Sequence, residues 1–140
     1  MGALERMNYH LEPGYIYISL MPLVITSVLG SCVAVCLWDT KLKRGGMNHF
    51  LYPSISNRKQ TTPKYGNVAV KGLISLMCQE GSNIENLEAQ IFGGGYPDNK
   101  TSDGLGKKNV QIARSLLARA QIPVVSEDVG GNLGRKIMFD

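Results

Sequence analysis

Cysteine and histidine are the residues of this chain best suited to covalent chemistry, and there are few of either: Cys32, Cys36 and Cys78, with His10 and His49. A thiol becomes a nucleophile when a neighbouring base takes its proton, and imidazole is well matched to that task. Cys32 follows Gly30-Ser31 at a sharp turn, at the mouth of the apolar run 32–38. A glycine turn lets the backbone approach a ligand and leaves N–H groups free to hold an oxyanion. His49 lies in a second apolar segment, 46–52, between Asn48 and Phe50. A titratable ring in such a segment needs a hydrogen-bond partner or a function. His10 precedes the first strand signal, and Cys36 and Cys78 read as core residues. On residue types alone the alternatives stay open, because an apolar-flanked cysteine is more often core than nucleophile.

Other chemistries are weaker. Three cysteines and a histidine could bind zinc, but no CxxC pair is present, and strand alternation does not present ligands as a knuckle does. Gly104-Leu105-Gly106-Lys107-Lys108 invites a phosphate-loop reading, yet it lacks the GxxxxGK[ST] pattern. There is no GxSxG elbow.

The elements that must position Cys32 and His49 follow from the apolar periodicity. Residues 15–21 read as a strand interrupted by Pro22, and 23–28 as a second extended segment. Segments 32–38 and 46–52 are expected to be antiparallel partners, with Pro53 ending the second. His49 reaches Cys32 only if their register is right. Residues 66–79 have helical spacing through Val70, Leu73, Ile74 and Met77, with Gly81 as the stop. A strand over 87–92 runs into Gly93-Gly94-Gly95, and 109–120 forms a second amphipathic helix through Val110, Ala113 and Leu117. Residues 123–129 and 135–139 are read as a hairpin around Gly130-Gly131-Asn132. Many strands and two helices make an α+β domain spanning 1–140, with 1–14 as a flexible lead-in.

Composition narrows the setting. The chain has 140 residues, 44% apolar and 19% charged, enough for one core without staples. Fifteen Lys and Arg against eleven Asp and Glu give a net +4. That excess is dispersed and lacks interleaved aromatics, so no nucleic-acid role is expected; an acidic protein partner suits it as well. No apolar run is long enough to insert in a membrane. An unpaired, sparse cysteine set and the absence of a secretory signal point to the cytoplasm.

Two longer motifs then become informative. Leu29-Gly30-Ser31-Cys32-Val33-Ala34-Val35-Cys36-Leu37-Trp38-Asp39 and Gly45-Gly46-Met47-Asn48-His49-Phe50-Leu51-Tyr52-Pro53 resemble the signature of the CheD chemoreceptor glutamine deamidases. The similarity continues through Tyr65-Gly66-Asn67-Val68-Ala69, Phe92-Gly93-Gly94, Gly106-Lys107-Lys108-Asn109, Glu127-Asp128-Val129-Gly130-Gly131 and Gly134-Arg135-Lys136-Ile137. The resemblance implies a Cys–His–Thr set at Cys32, His49 and Thr26, with Gly30, Ser31 and Asn48 on the oxyanion or substrate side. It implies hydrolysis of receptor glutamines to glutamate without a cofactor, and binding of a CheC-type phosphatase. The fold implied is an α+β sandwich with outer helices, like that of the toxin deamidases. Loop 95–99 departs from the family pattern, and the family usually continues beyond the match at 136–140. The competing readings are a non-catalytic docking module for the phosphatase and an esterase or amidase acting on receptors.

Overall fold

The computed structural model describes residues 8–20, 23–56, 61–95, 104–131 and 134–139. It contains strands β1 (Asn8–His10), β2 (Ile16–Ser19), β3 (Val24–Leu29), β4 (Val33–Asp39), β5 (Arg44–Asn48), helix α1 (Gly66–Gln79), β6 (Leu87–Gly93), α2 (Leu105–Arg119), β7 (Val124–Val129) and β8 (Arg135–Phe139). They form a five-stranded sheet ordered β2-β5-β4-β6-β7 and a three-stranded sheet ordered β1-β3-β8. The expected α+β sandwich is present.

Strand β4 explains the layering. Its residues are buried almost without interruption, which a strand achieves only when both faces are covered. Val33, Val35 and Leu37 join Ala69, Val70, Leu73 and Met77 of α1, and Val110, Ala113 and Leu117 of α2, in one core. Ala34 and Cys36, on the opposite face, join Ile25 and Leu29 of β3 and Ile137 of β8 in a second core. The larger sheet is thus sandwiched between a helix layer and the smaller sheet.

Three expectations are corrected. Residues 123–129 and 135–139 are not a hairpin: β7 runs parallel to β6, while β8 pairs antiparallel with β3 in the other sheet. Helix α2 supplies the crossover that a parallel β6–β7 pair requires. The positive φ of Gly130 and Gly131, 77° and 76°, then lets the chain turn from one sheet to the other. Within the expected lead-in, Asn8–His10 is a strand parallel to β3, and Leu11 is buried at 1% exposure. Cys36 is core as expected, but Cys78 is exposed on α1. The atypical loop residues 96–99 and Asn132 lie outside the described residues.

Candidate active site

The segment around His49 is held in place by its neighbours on both sides. On one side the His49 carbonyl accepts from the Gly14 N–H at 2.8 Å, and its N–H donates to Tyr15. On the other, Val33 and Phe50 exchange backbone hydrogen bonds of 3.1 and 2.9 Å. Cys36 stands opposite Met47 and Val33 opposite Phe50, so the same register sets Ala34 opposite His49 and Cys32 opposite Leu51. Residues of equal parity share a face. Cys32 and His49 are therefore diagonal neighbours in the register, on the face turned towards the small sheet.

The third partner comes from the small sheet. The Ser27 Oγ lies 2.7 Å from His49 Nδ1 and donates to the Leu11 carbonyl at 2.8 Å; serine and histidine are 0% and 2% exposed. A hydroxyl has one proton, and here it is directed to Leu11. Ser27 must then accept from Nδ1–H, which leaves Nε2 with its lone pair free. Nε2 is buried and has no hydrogen-bond partner among the described residues. In its neutral form the ring thus carries its proton on Nδ1 and its basic lone pair on Nε2.

Thr26, expected to orient the histidine, does not reach it. Its Oγ1 lies 3.3 Å from Nδ1 of the exposed His10. Alternation is the reason: Ile25, Ser27 and Leu29 of β3 point inward while Val28 is exposed and Thr26 is only half-buried. The inward polar position is Ser27, which the sequence reading overlooked. Its signal was a serine alternating with Ile25 and Leu29 on the apolar face, where a hydroxyl needs buried partners.

Asn48 is also displaced from its expected role. It is fully buried, and its parity sets it on the strand face opposite His49. Its Oδ1 accepts from the Val35 N–H at 2.8 Å, where a backbone carbonyl of β5 would otherwise serve. Gly30 and Ser31 lie beside Cys32, half-buried. The Gly30 carbonyl accepts from Gly95, and the Cys32 carbonyl from Gly94, at 2.9 and 2.8 Å. Gly93 makes this contact with the Cys32 turn feasible. Its φ is +106°, and a Cβ there would stand 2.1 Å from the Cys32 carbonyl oxygen. Asn109 of α2 adds two side-chain bonds, to the carbonyls of Ser31 and Leu51.

The electrostatics describe a resting pair without charge. Burial raises the Cys32 thiol pKa, opposed by the N–H groups of Cys32 itself and Gly30, which favour the thiolate. Burial lowers the His49 pKa, helped by the charge of His10 and opposed by a hydrogen bond from the ring to the Leu11 backbone and by the charge of Glu12. Backbone N–H groups lie close to the half-buried sulfur, an arrangement that can support thiolate chemistry. Among the described residues no cluster of three or more His, Cys, Asp or Glu is arranged to hold a metal. None of the described helices is long and apolar enough to cross a membrane.

Comparison with known proteins bears on family and fold. A solved structure of Bacillus licheniformis hypothetical protein YfiH superposes with a TM-score of 0.55 at 18% identity, covering 84% of this chain and 51% of that one. That likeness concerns the fold alone. A probable chemoreceptor glutamine deamidase CheD of Sulfurimonas denitrificans is 39% identical over 98% of this chain and 90% of its own length. Proteins of the same description from Trichlorobacter lovleyi and Anaeromyxobacter dehalogenans are 40% and 43% identical, over 95% and 99% of this chain and 84% and 81% of theirs. The model of the family described as CheD chemotactic sensory transduction matches residues 52–140. On this similarity, which spans nearly all its residues, the chain belongs to the CheD family.

Proposed function

We propose that this protein is a cysteine-dependent glutamine deamidase that converts glutamine side chains of chemotaxis receptors to glutamate, releasing ammonia. The substrate follows the description of its relatives as chemoreceptor glutamine deamidases. The observation that carries the mechanism is the Ser27–His49 hydrogen bond, with the buried His49 Nε2 left without a partner among the described residues on the face shared with Cys32.

His49 Nε2 takes the thiol proton as the sulfur attacks the carboxamide carbon, forming the C–S bond and placing negative charge on the carbonyl oxygen. The N–H groups of Cys32 and Gly30, which already favour negative charge on the sulfur, serve as donors for that oxygen. The imidazolium returns its proton to the departing nitrogen, the C–N bond breaks, and ammonia leaves a thioester. Water then attacks with His49 again as base, and the C–S bond breaks to give glutamate and the thiol. Ser27, in the place first expected for Thr26, keeps the imidazole in the tautomer that has its lone pair on Nε2. Its sparse free thiols favour the cytoplasm, and the family resemblance points to a CheC-type phosphatase as its partner.

Incubation with receptor cytoplasmic fragments, followed by peptide mass spectrometry, tests this. Specific glutamines should acquire the mass of glutamate, and Cys32→Ala and His49→Ala should both abolish the change. Full activity in Cys32→Ala would sink the mechanism.

A further inference from the structure

Near the start of α2 stands a polar side chain that the chemistry above does not use. Asn109 is 0% exposed, and its Nδ2 donates to the carbonyls of Ser31 and Leu51, each at 3.0 Å. Two carbonyl acceptors fix the amide's orientation, because only its nitrogen can donate. The cost falls on Oδ1, buried without a hydrogen-bond partner among the described residues. A buried polar atom left unsatisfied in a native fold calls for an explanation. Here both donors are committed to the mouth of the site: Leu51 stands opposite Cys32 in the register, and Ser31 precedes it in the chain.

The Ser31 carbonyl and the Cys32 N–H belong to one planar peptide unit. Holding the oxygen at one end fixes the direction of the N–H at the other. A hydrogen bond accepted by the carbonyl also polarises the amide and makes its N–H a stronger donor. Among the described residues the Cys32 N–H donates to no backbone carbonyl, so it is available to a ligand. We propose that Asn109 is a positioning residue for the oxyanion site, aiming the Cys32 N–H through the Ser31 peptide at the oxygen of the tetrahedral intermediate. The role rests on the cysteine chemistry proposed above, and not on the identity of the substrate.

Two reactions of Cys32 separate this role from a structural one. Acylation by p-nitrophenyl acetate passes through an oxyanion; alkylation by iodoacetamide is a displacement at saturated carbon and forms none. Both are followed at Cys32 by peptide mapping in the full chain with Cys78→Ser, since Cys78 is exposed, and expressed per folded protein. Asn109→Ala should slow acylation about 10- to 100-fold, below the full loss of an oxyanion donor, while alkylation changes by less than about twofold. Asn109→Ser, which retains one donor, should fall between. Acylation at the unsubstituted rate, or both reactions slowed in step, overturns the proposal. So does failure of both variants to fold, which would make Asn109 structural. If the unsubstituted protein shows Asn109-dependent acylation yet deamidates no receptor fragment, the substrate assignment fails and the positioning role stands.

Discussion

Ser27 has two partners for a single hydroxyl, and that arithmetic decides what His49 can do. Because its proton goes to Leu11, the 2.7 Å contact with Nδ1 is made by the imidazole as donor. Removing the hydroxyl takes away the 2.7 Å partner of Nδ1 and frees the ring to adopt the other tautomer or to rotate. Ser27→Ala should therefore lower kcat about 10- to 100-fold, a part of the 10²- to 10⁴-fold that a positioned acid–base group supplies, with KM little changed. Thr26→Val should leave kcat close to that of the unsubstituted protein, since the Thr26 hydroxyl lies beside Nδ1 of the exposed His10. Steady-state deamidation of a receptor fragment measures both. The pH profile has a definite sign as well. His49 acts in its neutral form, and burial lowers its pKa, so the acid limb of kcat/KM should lie below the ordinary histidine value of about 6.5. The same shift links to stability. The lowered folded pKa contributes stability that is complete above the unfolded value and is lost as pH falls through the folded one. Urea midpoints measured from neutral to mildly acidic pH should fall for the unsubstituted protein and fall less for His49→Gln, which has no ring to protonate.

At the scale of elements, the site is the meeting of three strand ends and a glycine loop. Strand β6 stops at Gly93, where φ +106° and the 2.1 Å approach of a notional Cβ to the Cys32 carbonyl leave no room for a side chain. Gly93→Ala must shift either the loop or the nucleophile turn, and it strains a left-handed backbone at a cost of about 1–3 kcal/mol. A lower melting temperature together with a kcat loss of more than about tenfold is expected; unchanged kcat in the folded variant would show that the turn yields without moving Cys32. The same elements show how far the amino-acid pattern was readable. Helix α1 was legible to its ends, because Val70, Leu73 and Met77 repeat at helical spacing and Gly81 stops the chain. The β4–β5 pairing was legible because two apolar runs flank a short polar loop. Strands β7 and β8 were not, since two extended segments joined by Gly130-Gly131 look the same whether they pair or part. Ser27 and Thr26 differ only in which side of β3 they occupy. That is set by the small sheet, whose partners β1 and β8 lie at opposite ends of the described chain.

Across the whole molecule, the two cores have unequal bearing on the chemistry. The helix-side core contains Met77 at 0% exposure, and α1 supplies none of the groups assigned to the site. The core between the sheets contains Ile25 at 2% exposure, two residues before Ser27 on the same face of β3. Truncating either side chain leaves a cavity and should cost about 2–5 kcal/mol of stability. Their effects on catalysis should differ. A cavity at Ile25 lets β3 settle towards the larger sheet, and geometry errors well under 1 Å disturb a hydrogen bond of 2.7 Å. Ile25→Ala should therefore lower kcat per folded molecule by about tenfold, while Met77→Ala, matched to it in stability loss, should keep kcat within about twofold. Chemical denaturation gives the stability match, and deamidation rates well below the unfolding transition give the comparison. Equal kcat in the two variants would mean that the inter-sheet core holds the fold together without holding Ser27 to His49.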